Sequence, residues 1–281
     1  MEMPEKSGES PEKSLADANN AEICRFALPP WRRYASRLPC ARPAPQGRRP
    51  VMNFSRVFLN RLHNLPGSAD TVVVIDVLRS FTTAAVALAH GARAIHPVDG
   101  TTAAQALGAR LPGAVLVGAI GGGDPAPGFD YGNSPAVLAC TQLKGRPVVL
   151  STAAGVRGLQ RFHYARRLYA ASLVCARATA LAIQAAGAEE VCFVITGEWV
   201  DRDGDEDIAC ADYIEALLKG ETPDPEAYAR RVRQSDFGRR FGLPDWPNLP
   251  RRDLELAAQP DLFPFAMPVD RDGEGMTIRL D

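Results

Sequence analysis

The chain has 281 residues, of which 46% are hydrophobic and 23% charged, enough for one large domain or two small ones with a sizeable core. Lys and Arg number 32 against 33 Asp and Glu, which excludes an overall field that would draw the protein onto nucleic acid or an anionic membrane and makes a small molecule the expected partner. No stretch reaches the roughly 18 uninterrupted apolar residues of a spanning helix, and the opening carries Glu2, Glu5 and Glu9 rather than a basic leader, so the expectation is a cytoplasmic protein.

Residues 1–51 differ in kind from the rest of the chain. A polar Ser/Glu/Lys opening gives way to Pro29-Pro-Trp-Arg-Arg33 and an Arg/Pro tract over 40–50, with too little periodic hydrophobicity to offset the entropy of ordering. The segment is expected to be disordered, the product of an early start codon, with a basic interaction tail as the functional alternative. The domain then runs over 52–281, opening at Met52 with a strand at Phe54–Leu59.

From Thr71 short apolar runs alternate with helical patterns. Val72-Val-Val-Ile-Asp76 reads as a strand ending in a carboxylate, followed by an Ala-rich helix from about Arg79 to His90. Further strands are expected at 94–98, 114–117, 147–151, 167–170 and 191–195. Continuous apolar strands interleaved with helices predict an α/β fold: a mostly parallel sheet with helices on both faces, three layers in all. From about residue 220 short helices and prolines take over, and Phe263–Met267 and Met276–Arg279 read as strands or edge segments. This region is expected to be a C-terminal helical/β extension packed on the main sheet. The six cysteines form no Cys-x-x-Cys pair and are expected to be reduced, packed thiols.

Ligands of open parallel sheets bind beyond the carboxyl ends of the strands, so the residues after each run carry the candidate chemistry. Asp76 stands at the first such end, followed by Arg79, Ser80, Thr82 and Thr83 at a helix start. That arrangement suits an anion with a carboxylate to hold a cation or orient water, although an Asp there also serves as a plain helix cap. The long Gly/Pro loop over 118–135 brings Asp130, Asn133 and Ser134 towards the next helix, with an ordinary capped turn as the alternative. Ser151-Thr-Ala-Ala-Gly-Val-Arg157 repeats the strand, small residues and helix order, with Arg157 in the helix. The acidic loop over 196–207 offers Glu206 and Asp207 as oxygen ligands for Mg²⁺, against a solvated turn with Asp205 as cap. Cys140 and Arg146 have the spacing of a thiol phosphatase but the wrong element order, and Leu78 stands where an aspartyl-nucleophile site needs a second Asp.

In Ile75-Asp-Val-Leu-Arg79 with Thr82-Thr83, and in Pro127-Gly-Phe-Asp-Tyr-Gly-Asn-Ser-Pro135, the chain resembles the 2-phosphosulfolactate phosphatase family. Weaker matches at Gly155-Val-Arg157, Glu206-Asp207, Asp253-Leu-Glu-Leu and Phe265-Ala-Met-Pro268 keep the same order. The resemblance implies a Mg²⁺-dependent phosphatase that converts 2-phosphosulfolactate to sulfolactate and phosphate, a step in coenzyme M biosynthesis. It implies anion-site residues Asp76, Arg79, Asp130, Asn133, Ser134 and Arg157, with Asp76 or Asp130 as the carboxylate that acts on water and Glu206 and Asp207 as metal ligands. No nucleophile is assigned. The chain departs from the family where Gly-Glu-Arg becomes Gly118-Ala-Ile120, where Thr-Asn-Gly-Thr-Arg becomes Ala153-Ala-Gly-Val-Arg157, and where Cys-Ala-Gly becomes Ile195-Thr-Gly197. A catalytically silent relative that binds an anionic metabolite is the second reading. A nucleotide-cofactor oxidoreductase, which rests on fold class and the glycine loop alone, is the third.

Overall fold

The structure is a computed structural model that describes residues 52–61, 70–120, 124–272 and 275–280. The expected disorder of 1–51 lies outside the described residues. Nine strands are present: β1 (Asn53–Phe58), β2 (Thr71–Ile75), β3 (Ala94–Pro97), β4 (Val115–Gly118), β5 (Pro147–Ser151), β6 (Arg167–Ala171), β7 (Glu190–Ile195), β8 (Met267–Asp272) and β9 (Gly275–Ile278). Eight α-helices are described: α1 (Ser80–Ala89), α2 (Thr101–Arg110), α3 (Pro135–Ala139), α4 (Gly155–Arg161), α5 (Ala176–Ala185), α6 (Asp205–Leu218), α7 (Pro225–Gln234) and α8 (Arg251–Ala257).

One sheet joins the strands in the order β1-β7-β2-β6-β8-β9-β3-β5-β4. β1, β7, β2 and β6 are parallel, as are β3, β5 and β4, so the fold is α/β with a mostly parallel sheet. The antiparallel hairpin β8–β9 joins the two blocks, pairing with β6 on one side and β3 on the other. Residues after 220 therefore supply two strands in the interior of the sheet as well as α7 and α8 on its surface. A flat sheet would separate β2 from β5 by roughly 24 Å at the usual strand spacing. Yet Gly155 N, just past β5, lies 2.9 Å from Asp76, just past β2. The sheet is curled at the hairpin, and the curl brings the carboxyl ends of the two blocks together.

The β-branched strand β2 has every residue buried, as befits a strand covered on both faces. Val72 and Val74 join a core with Leu168, Ala170 and Val194 of the first block and Ile95, Val115 and Val148 of the second. Helix α1 contributes to the same core and is buried at all ten positions. Its alanines favour helix and are small enough for a helix enclosed on all sides. Val73 and Ile75 point the other way, into a second core with Phe193, Ile183 of α5, Tyr213 and Ile214 of α6 and Val232 of α7. Cys175, Cys192 and Cys210 are free and buried, as expected. No described helix is long and apolar enough to cross a membrane.

Candidate active site

Asp76 follows β2 and is almost wholly buried. Its Oδ1 accepts the Ser80 N–H at 2.9 Å, so it does cap α1, and its Oδ2 accepts the Gly155 N–H at 2.9 Å. Gly155 is required by this approach, because a Cβ there would lie 2.8 Å from Oδ2 and 2.9 Å from the Phe81 ring. The Ser80 hydroxyl donates to Thr152 Oγ1 at 3.0 Å, a second link between the blocks. The peptide between Leu78 and Arg79 is cis. Beyond these bonds Asp76 keeps lone-pair capacity for a water or a proton. Burial pushes its carboxyl above the ordinary range, opposed by the Ser80 hydroxyl, the Ser80 and Gly155 N–H groups and the charge of Arg202.

Glu206 and Asp207 head α6, whose N-cap is Gly204 in the left-handed region (φ 68°) rather than Asp205. Asp205 instead pairs with Arg231. Asp207 ties three strand-end backbones together: Oδ1 accepts Val77 N–H at 2.8 Å, and Oδ2 accepts those of Gly197 at 2.8 Å and Thr196 at 3.1 Å, with the Thr196 hydroxyl at 3.3 Å. That carboxylate is committed to positioning the ends of β2 and β7. Glu206 is the opposite case. It is 0% exposed, and neither carboxylate oxygen has a hydrogen-bond partner among the described residues. Ser235, on the segment after α7, is engaged elsewhere, donating to Val232 O and accepting from Gly238 N. Gly197 leaves room beside Glu206, since a Cβ would sit 2.5 Å from Oε1. Burial pushes the Glu206 carboxyl to about 7, against the pull of its own backbone N–H, the nearby Ser235 hydroxyl and the charge of Arg202. Burial pushes that of Asp207 well above its ordinary value, raised further by the charges of Glu206 and Asp76.

The other predicted residues form a second group and a periphery. Arg79 is buried and donates through Nη1 to Asp253 Oδ2 at 2.7 Å and to the Asn248 carbonyl at 3.1 Å, its guanidinium 5.8 Å over the Phe241 ring. Asp253 Oδ1 accepts from Ser134 Oγ at 2.7 Å and Ala136 N at 3.0 Å. One carboxylate thus joins the start of α1 to the loop before α3. Asn133 in that loop has a buried Oδ1 with no partner among the described residues. Asp130 is exposed and binds Leu116 N of the edge strand β4. Arg157 is 58% exposed and pairs loosely with Asp99. The structure thus brings Asp76, Glu206 and Asp207 together, groups Arg79 with Ser134, and leaves Asp130 and Arg157 at the rim.

Two residues of the site carry little signal in the sequence. Asp253 lies in Asp253-Leu-Glu-Leu, a weaker match to the family, with nothing local to assign it a role. Arg202 is the one cation within the acidic loop, three residues after Trp199, and that pairing with an aromatic is the only signal that sets it apart.

Residues 58–238 match the family model described as 2-phosphosulpholactate phosphatase. The chain belongs to this family. A "probable 2-phosphosulfolactate phosphatase" of Carboxydothermus hydrogenoformans is 47% identical over 109 residues, covering 39% of this chain and 44% of that protein. Like-named proteins of Gloeobacter violaceus and Bacillus subtilis are 35% identical over 197 residues and 30% identical over 217. These cover 70% and 77% of this chain and 83% and 94% of theirs. The 2-phosphosulpholactate phosphatase match includes Asp76, Arg202, Glu206 and Asp207 but stops before Asp253 and the β8–β9 hairpin.

A divalent cation, expected from the resemblance, can be tested against these residues. Among the described residues no three His, Cys, Asp or Glu side chains are grouped to hold a metal by themselves. Mg²⁺ is commonly held by one or two carboxylates together with water and substrate phosphate, and the unpartnered Glu206 carboxylate fits that role while Asp207 is already occupied.

Without metal, Glu206 makes stability depend on pH in a definite direction. Its folded pKa of about 7 lies above the ordinary 4.5, so between those values the native state keeps a proton that the unfolded chain has lost. Stability then falls as pH rises from about 4.5 to 7, by on the order of 3 kcal/mol. In chelator, Glu206→Gln is expected to flatten this slope and raise the melting temperature at pH 8. A wild-type profile flat across that window would contradict the assignment.

Proposed function

We propose that this chain is a metal-assisted phosphatase of a small anionic phosphate ester, with 2-phosphosulfolactate, the compound in its relatives' names, as the first candidate. The observation that carries the reading is a buried acidic cluster at the meeting point of two sets of strand ends. In it Asp76 retains accepting capacity and Glu206 has two unpartnered oxygens. Hydrolysis of a phosphate monoester needs charge neutralised on the phosphoryl oxygens and a water positioned for in-line attack. A bound Mg²⁺ would supply the first of these by polarising phosphoryl oxygens.

The chain's own residues supply the rest. Asp76, fixed at both oxygens by backbone N–H groups, orients the water and takes its proton, and burial, by raising its pKa, makes it a stronger base than an ordinary carboxylate. Glu206 would hold the cation. Asp207 keeps the ends of β2 and β7 in register behind them. Arg79, anchored by Asp253, fixes the start of α1 from which Asp76 is capped. A cytoplasmic location and a place in coenzyme M biosynthesis belong to the same proposal.

The test is phosphate release by the full chain from a panel of phosphomonoesters that includes 2-phosphosulfolactate, in Mg²⁺ and in excess chelator. Release is expected in Mg²⁺ and should fall to the uncatalysed level in chelator. Folded protein that releases no phosphate from any member would end the reading.

A further inference from the structure

Of the three arginines nearest the chemistry, two are engaged. Arg79 is bound to Asp253, and Arg157 lies largely in solvent beside Asp99. Arg202 differs from both. Its side chain is 21% exposed, and its Nε is buried with no hydrogen-bond partner among the described residues. Its one ion pair among the described residues is a 3.9 Å approach to Asp201, whose side chain is 64% exposed. The guanidinium is held all the same. It lies 4.6 Å over the Phe237 ring and 5.9 Å over that of Trp199, and reciprocal backbone hydrogen bonds between Trp199 and Arg202 close the turn that carries it.

A guanidinium held against aromatic rings, with its Nε buried and unsatisfied, is costly unless something anionic completes it. Arg202 follows the end of β7 by seven residues and precedes Glu206 by four, and its charge acts on both Glu206 and Asp76. Building on the phosphatase reading, we propose that Arg202 is a substrate-binding residue of this site that takes a tetrahedral oxyanion, phosphoryl or sulfonate, through its guanidinium fork. The planar fork, immobilised in advance by the rings, is the donor geometry that two oxygens of such a group accept together. Asp76 and Glu206 repel an incoming anion, and Arg202 is a half-buried cation placed to offset them.

The experiment measures binding of inorganic phosphate and of methanesulfonate to the full chain by calorimetry, in Mg²⁺, for wild type, Arg202→Gln and Arg202→Lys, with melting temperatures and steady-state kinetics. Arg202→Gln is expected to weaken one of the two anions by about ten- to a hundred-fold, the size expected for charge-assisted hydrogen bonds. KM should rise more than kcat falls, and the melting temperature should be unchanged or higher. Arg202→Lys should recover part of the loss. Loss of phosphate binding assigns Arg202 to the phosphoryl group, and loss of methanesulfonate binding assigns it to the sulfonate. Unchanged affinity for both anions in Arg202→Gln overturns the inference. So does wild type that binds neither, or an equal loss in both variants with a lowered melting temperature, which would mean packing. Wild type that releases no phosphate but binds either anion through Arg202 would end the phosphatase reading and leave this inference standing.

Discussion

Asp76→Asn is expected to lower kcat for phosphate release by about 10²–10⁴-fold, the usual contribution of a positioned base, with KM little changed. Asn preserves the volume of a site that Gly155 and Phe81 leave no room to enlarge. It also preserves one accepting oxygen, but its amide must face either Ser80 N or Gly155 N, which costs on the order of 1–3 kcal/mol. Removing one charge from the cluster relieves repulsion on Asp207 and offsets part of that loss. The variant should therefore fold, and unfolding curves recorded beside the kinetics will show whether lost activity reflects chemistry. A folded variant with kcat within about threefold of wild type would remove Asp76 from the proton transfer.

Most strands could be read directly, because a strand buried on both faces is a short, continuous, largely β-branched apolar run, whereas the buried helix α1 is rich in alanine. β5 matches its expected range at both ends, and β2, β3, β4, β6 and β7 fall within a residue or two. The curl of the sheet was not legible. It depends on β8 and β9 lying between β6 and β3, a pairing across about 100 residues for β6 and 180 for β3, and no local pattern carries such a partner. Phe263–Met267 offered the stronger apolar signal, yet the strand begins only at Met267, with Phe263 turned into the core beneath it.

The site was legible in the same partial way. Asp76, Glu206 and Asp207 announced themselves as carboxylates at strand ends and a helix start, a position that topology makes meaningful. What each does depends on how many donors reach each oxygen, and that count depends on the fold. Asp207 receives three backbone N–H groups and Glu206 has no partner among the described residues, although they are neighbours in sequence. Asp130 and Ser134 belong to one well-matched segment, but Asp130 braces β4 while Ser134 turns inward to Asp253.

That inward contact yields a second large effect. Asp253→Ala is expected to destabilise the protein by about 3–5 kcal/mol, because it strands a buried guanidinium along with Ser134 Oγ and Ala136 N. Arg79→Met alone should cost a comparable amount by leaving the Asp253 carboxylate, which burial already pushes towards neutrality, without its cation. The double variant should cost much less than the two together, since an apolar pair removes both desolvation penalties at once. Urea unfolding of the four proteins closes this cycle. Single variants that each lose under about 1 kcal/mol would show that the pair behaves as a solvated one and does not hold α1 to α3. A large coupling would mean that α8, which lies beyond the family match, fixes the helix start from which Asp76 is capped.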